Sequence, residues 1–450
     1  MKYKFSDKRL TGFLRYVNRV FEFEKFVQRI TDKRKRPQIK TDSIFMSLFF
    51  CLLLRWGSFN QLKGELKSNA LEKFLPGGEK ANCDNSIRYS LAKFDLEKLN
   101  QQLVLTNKRL KRNKVLDPLP GFQGLRVISI DGTEYFRSSK IRCNECLEVS
   151  VATKEGKRLD YVHRGVFAQM ISSKVCPFLA FEPILPKDAK KISEVDAPEG
   201  HEGHEGELTV AKRLLARLDA SYPKNFYDVI SLDAFYPNQP FIKEVRSYGK
   251  HLVARVKDER TTIFKEIEAL SKLTQPQEWK IDAKTTLKTW DIDDLHLSLG
   301  SQYTSIPLRG VKAIEATISP ENGEIKTETI YLLTTLVGNK SRFFRVSTKT
   351  LVRMVHARWR IENNGYKDLK DNWFFEHNFF HHPIATKAMI LIFLIVYNLF
   401  YTFVLRHLKT YRIYDLTIKE VIRELIYSFY SRKYHFSFSR FSYSHRGKGS

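Results

Sequence analysis

Hydrophobic and polar positions change rhythm several times along the chain. Up to about residue 115 the apolar positions recur at helical spacing. Thr41-Asp42-Ser43 offers a cap before the apolar run Ile44 to Trp56, Pro76-Gly77-Gly78 predicts a turn, and Asp84-Asn85-Ser86 offers a second cap before IRYSLAKFDLEKLNQQL. This region closes on Lys108-Arg109-Leu110-Lys111-Arg112-Asn113-Lys114, with Pro118 and Pro120 beyond. Such a run commonly marks a solvated helix end, and a short helical domain with a basic edge also suits DNA binding.

From Leu125 the runs shorten. LRVISID (125–131), YVHRGVFAQMI, PFLAFEPIL, YDVISLD (227–233) and HLVARVKD (251–258) read as strands, and LTVAKRLLARLDASY reads as an amphipathic helix. The polar stretch 187–206, which runs into EGHEGHEGE (199–207), predicts an exposed loop. Strands alternating with helices imply an α/β class with a partly parallel sheet. TWDIDDLHLSL, KAIEATI and ETIYLLTTLV, with a turn predicted at 320–323, read as a β-rich insertion. Helical pattern returns at STKTLVRMVHARWRIENNGYKDLK. It continues into AMILIFLIVYNLFYTFVL (388–405), which is almost long enough to cross a membrane. Tyr397, Asn398, Tyr401 and Thr402 interrupt that run and charged helices flank it, so it reads as a buried core helix. The expected division is 1–118 helical and DNA-binding, 119–259 the first part of a catalytic core, 260–345 the insertion, 346–408 the core's C-terminal helices, and 409–450 a basic aromatic tail.

Charge narrows the partner. The 450 residues hold 76 Lys plus Arg against 50 Asp plus Glu, a net charge of +26. Such an excess repels itself unless a polyanion neutralises it; nucleic acid is the usual one, a generally basic proteome or a ribosomal association the duller alternative. With 42% hydrophobic residues, including 33 Phe and 20 Tyr, the chain can build real cores. Five cysteines, and an opening without an apolar signal core, fit a reducing cytoplasm.

Two segments carry the candidate chemistry. VISID at 127–131 and VISLD at 229–233 are near copies, each a buried-strand signature delivering a carboxylate at the strand's C-terminal end. Ligands of open α/β sheets bind at that edge, and paired acids can share hard divalent cations. Taken singly, Asp131-Gly132 is also a good turn dipeptide. A third acidic arm is expected in the helix around 348–370, where Arg358 and Glu362 stand at i and i+4 on one face, partly buried through Trp359 and Ile361. A surface ion pair is the simpler alternative. Cys143-x2-Cys146 has zinc-like spacing without a matching second pair; Cys176 and His163 could complete a site only if the fold brings them close. His377, His381 and His382 read as loop packing rather than metal ligands, with proximity to DNA phosphates the alternative.

Asp131-Gly132-Thr133, LDAFYP at 232–237 and RWRIENNGYKDLK at 358–370 together resemble the three signature regions of bacterial insertion-sequence DDE transposases. The nearest branch is the IS-four-like one, with signature Tyr-x2-Arg-x3-Glu-x6-Lys. The resemblance spans roughly residues 125 to 400. It implies a ribonuclease-H-like core in which Asp131, Asp233 and Glu362 are the catalytic acids and hold two Mg²⁺ or Mn²⁺ ions, with Arg358 as the signature arginine. Val355 stands at the tyrosine position and Leu369 at the lysine position, leaving Lys367 and Lys370 on either side. It further implies DNA contacts by Arg358, Lys367, Lys370 and Trp290, the last holding a displaced base unless it is simply a core residue. The expected partners are transposon ends and target DNA, bound by a synaptic homodimer in the bacterial nucleoid. A ribonuclease-H-fold nuclease without strand transfer, and a non-catalytic DNA-binding relic, are the rival functions.

Overall fold

The computed structural model describes residues 6–67, 70–76, 84–154, 156–187, 204–293, 295, 306–319, 322–337 and 345–431. Most of the Gly/His/Glu-rich stretch, parts of the turns expected at 76–78 and 320–323, and the tail from 432 lie outside the described residues. Contacts divide the chain into two compact units, one of residues 1–109, 140–144 and 369–450, the other of residues 110–139 and 145–368.

The first unit is helical. Its N-terminal part contains α1 (Arg9–Phe21), α2 (Phe23–Val27), α3 (Thr41–Leu53), α4 (Phe59–Lys67), α5 (Asp84–Leu91) and most of α6 (Leu96–Arg112). The sequence after Asp84 reads as one helix, yet it breaks at 92–95. There Asp95 Oδ1 accepts from the backbone N–H groups of Glu97 and Lys98 and starts α6 afresh. An acid that satisfies orphan N–H groups at a helix start competes with continuation of the preceding helix.

The second unit is built on one mixed sheet. Its strands are β1 (Val127–Ser138), β2 (Leu147–Thr153), β3 (Gly156–Met170), β4 (Phe178–Ile184), β5 (Val229–Leu232), β6 (His251–Val256), β7 (Gln277–Lys280), β8 (Thr285–Ile292), β9 (Arg309–Ile318) and β10 (Ile325–Thr334). Helices α7 (Glu207–Ser221), α8 (Gln239–Ser247), α9 (Thr262–Ser271) and α10 (Thr348–Arg360) connect or follow them. The order β4-β3-β1-β5-β6, in which β3 alone runs against the others, is a ribonuclease-H-like core. Val127–Ile130 and Val229–Leu232 are fully buried, which is why both strands read as continuous apolar runs.

The β-rich insertion does not fold apart from this core. It opens with α9, which the alternating pattern did not foretell, and β10 then pairs antiparallel with β6, so β10-β9-β8-β7 extend the same sheet. One hydrophobic cluster unites Val127, Val229 and Val253 of the core with Leu287, Val311 and Leu332 of the insertion and with Leu351 and Val355 of α10.

The C-terminal helices, α11 (Lys367–Trp373), α12 (Pro383–Thr402), α13 (Lys409–Ile413) and α14 (Ile418–Tyr430), belong almost wholly to the first unit. The span Pro383–His407 is long and apolar enough to cross a membrane, but 89% of its most apolar stretch is buried inside the protein. Its polar interruptions are satisfied internally: Asn398 Nδ2 donates to Asn107 Oδ1 at 3.1 Å and Thr402 donates to the Asn398 carbonyl at 2.6 Å. This is the buried core helix that the interrupted hydropathy predicts. Arg9 of α1 pairs with the fully buried Glu424 of α14 at 2.6 Å.

Candidate active site

The parallel pairing of β1 and β5 sets Val127 opposite Val229, Ile128 opposite Ile230 and Ser129 opposite Ser231. Carried on by two residues, this register brings Asp131 level with Asp233. Asp233 lies just past the end of β5, as the strand-end expectation requires. Asp131 does not: β1 continues through Gly132 and Thr133 to Ser138, pairing with β3, so Asp131-Gly132 is strand rather than turn. The physical reason lies at Gly132, where a Cβ would stand 2.6 Å from Glu207 Oε2. Glycine here makes room for a carboxylate and leaves the strand unbroken.

The third arm descends from α10. Ser231 Oγ donates to the Met354 carbonyl at 2.9 Å, seating α10 on β5. After Arg360 the helix widens into a π-helical turn, Ile361–Tyr366, containing Glu362. Such single wide turns recur at functional sites because the extra residue redirects a side chain. Ile361 is fully buried, whereas Trp359, expected to be partly buried, is 43% exposed.

Arg358 gathers the acids. Its guanidinium lies 2.6 Å from Glu362 Oε1, 3.8 Å from Asp131 Oδ2 and 4.0 Å from Asp233 Oδ1. The arginine is 4% exposed and its Nε has no hydrogen-bond partner. The simple surface ion pair is thereby excluded, since the arginine is buried and faces three carboxylates. A convergent set of carboxylate oxygens around one buried positive charge fits hard divalent cations such as Mg²⁺ or Mn²⁺.

The acids differ in their surroundings. Burial raises the Asp131 carboxyl to about 7; Arg358 opposes this, while Glu207 and Glu362 add to it. Burial acts the same way on Asp233, but hydrogen bonds from the Ala234 N–H and the Lys257 ammonium, with Arg358, hold that carboxyl below its ordinary value. Lys257 Nζ stands 3.1 Å from Asp233 Oδ1.

Sequence reasoning missed Lys257, Glu207, Tyr236 and Tyr366. Lys257 was findable, because it directly follows the third parallel strand at the edge where Asp233 emerges. Tyr236, within LDAFYP, is fully buried and its hydroxyl donates to Glu207; the Tyr366 hydroxyl donates to the Asp131 carbonyl at 2.7 Å. Glu207 was hidden at the end of a low-complexity acidic run.

Lys367 is exposed at the start of α11, and Lys370 pairs with Glu376 at 2.7 Å. Trp290 is half-buried on β8, with Lys312 and Lys288 5.6 and 5.9 Å from its ring centroid. Cys146 Sγ lies 3.5 Å from His163 Nε2, whereas Cys176 donates to the Ser173 carbonyl. His382 caps α12 by accepting from the Ile384 N–H.

The ribonuclease-H-like sheet thus brings carboxylates from two adjacent strands and from the following helix together, an arrangement able to hold divalent cations. Residues 197–399 match the family model described as the transposase DDE domain. The matched span contains Asp233, Arg358 and Glu362 and begins after Asp131. It bears out the transposase reading of the sequence without distinguishing branches of the family. No curated protein matches the chain. Among solved structures, the piggyBac transposase, determined by cryo-EM as a synaptic complex with hairpin DNA, is 10% identical with a TM-score of 0.40. That alignment covers 94% of this chain and 78% of that one.

Proposed function

We propose that this protein cleaves DNA at the ends of an insertion sequence and joins them to target DNA, using Asp131, Asp233 and Glu362 to hold two divalent cations. The observation that carries this reading is the convergence of all three carboxylates on the buried Arg358 guanidinium. When bound, the cations supply Lewis-acid activation of the attacking oxygen, first of water and then of a DNA 3′-hydroxyl, and stabilise the leaving oxygen. The planar fork of Arg358 suits two oxygens of the scissile phosphate, and the ammonium of Lys257 adds positive charge beside Asp233. Lys367, Lys370 and Trp290 serve DNA away from the reacting atoms, the lysines on phosphates and the tryptophan by stacking on a base. The Arg358-x3-Glu362 spacing supports the IS-four-like branch. A basic chain of this kind works on bacterial DNA, as a dimer that pairs two ends.

Asp131→Asn, Asp233→Asn and Glu362→Gln test the reading, because each keeps side-chain size and removes a metal-holding charge. Each is expected to abolish Mg²⁺-dependent cleavage of end DNA while binding stays near that of the parent. Cleavage at parental rate by any one removes that residue from the triad. A protein that cuts but never joins an end to a target plasmid is a nuclease instead.

A further inference from the structure

One carboxylate at this site has no place in the three-acid scheme. Glu207 is the first residue of α7, and the helix start favours an acid there. That preference does not explain where the side chain goes. Both oxygens lie against the backbone of Gly132, next to Asp131: a Cβ on Gly132 would stand 2.6 Å from Oε2 and 2.8 Å from Oε1. The side chain is half-buried, and among the described residues no lysine or arginine pairs with it. Its hydrogen-bond partner is the hydroxyl of the fully buried Tyr236, while Tyr366 fixes the Asp131 backbone alongside. Arg358, 4% exposed and with an unpartnered Nε, points into the same cluster.

Two neighbouring, partly desolvated carboxylates cost free energy unless a cation lies between them. Arg358 reaches Asp131 at 3.8 Å and forms no ion pair with Glu207. Glycine at 132 and tyrosine at 236 therefore hold an acid where it opposes stability, which is how metal ligands are held. We propose that Glu207 is a fourth metal-holding carboxylate, fixed against Gly132 by the Tyr236 hydroxyl, that acts with Asp131 on one of the two divalent cations. This rests on the two-metal reading of Asp131, Asp233 and Glu362.

The test is titration of the full-length protein with Mn²⁺, without DNA, following free Mn²⁺ by electron paramagnetic resonance, with melting curves to verify folding. The parent is expected to bind two ions. Glu207→Gln should weaken one of them by roughly tenfold or more and leave the other nearly unchanged. Gly132→Ala keeps every acid but displaces Glu207, and should weaken the same ion. Tyr236→Phe should act in the same direction by a smaller factor, and these two variants decide if Glu207→Gln fails to fold. Two parental affinities in Glu207→Gln and Gly132→Ala, alongside loss of binding in Asp233→Asn, would overturn this inference and leave the proposed function standing. Absence of Mn²⁺ binding by the parent, or no effect of Asp233→Asn, would bring down the two-metal reading and this inference with it.

Discussion

Burial, partly opposed by Arg358 and reinforced by Glu207 and Glu362, keeps the Asp131 carboxyl protonated up to about pH 7 in the metal-free protein. An acid whose folded pKa lies above its ordinary value lowers stability as pH climbs from near 3.8 to about 7, and the full cost persists above that. That interval corresponds to roughly 4 kcal/mol at most. Asp131→Asn in chelator is therefore expected to melt several degrees above the parent at about pH 8, with the gap closing toward about pH 4. An equal gap across that range would mean that the carboxyl is solvated. Arg358 makes a second prediction at this scale. Arg358→Lys keeps a positive charge among the acids but loses the planar fork, so cleavage and joining should slow by roughly tenfold while DNA affinity changes less. Rates on pre-nicked and intact ends measure this, and parental rates on both would leave only the acids in the chemistry. The near-copy strands made Asp131 and Asp233 legible in the sequence. Glu207 was not, because its neighbour Gly132 is 75 positions away in the chain and only the packing of α7 brings them together.

At the scale of elements, the connection from the insertion into α10 depends on a buried arginine. Arg309 on β9 is fully buried; it pairs with Asp291 through two contacts of 2.7 and 2.8 Å and donates to the carbonyls of Val346 and Leu336. Arg345 also reaches Asp291, at 2.9 Å, and so retains part of the compensation if Arg309 is lost. Arg309→Met is expected to destabilise the protein by about 2–3 kcal/mol, less than the loss of a fully isolated buried pair. Urea melts would show this, and a change under about 0.5 kcal/mol would mean that the cluster around it relaxes freely. The strands here were readable because alternation and apolar runs are local. The π-helical turn at 361–366 was not, since its hydrogen-bond spacing leaves no mark on periodicity and is set by where Gly365 and Tyr366 pack. A Cβ on Gly365 would lie 2.9 Å from Gln169 Oε1 and 3.0 Å from the Phe178 ring.

For the whole molecule, a charge of +26 implies that binding to DNA releases many counterions. The affinity for end DNA is expected to fall with a log–log salt slope steeper than about −3 between low and physiological ionic strength. A slope near zero would show that the basic excess serves some other purpose. Removing Mg²⁺ should leave this binding largely in place, because the lysines and arginines rather than the acids provide it; filter binding in chelator checks that.

The chain's local patterns by themselves determined the helical front, the α/β core, two of the site's acids as near copies, the Arg358-x3-Glu362 arm and a core helix that only imitates a membrane span. These follow from periodicity, strand composition and helix spacing, which act over a few residues. Tertiary structure alone decided that the insertion extends the core sheet and that β1 runs on past Asp131. It also decided that Glu207, Tyr236 and Tyr366 stand beside the acids. Each of these depends on groups distant in sequence that meet only when β1, β5, α7 and α10 pack together, and no local preference encodes such a meeting.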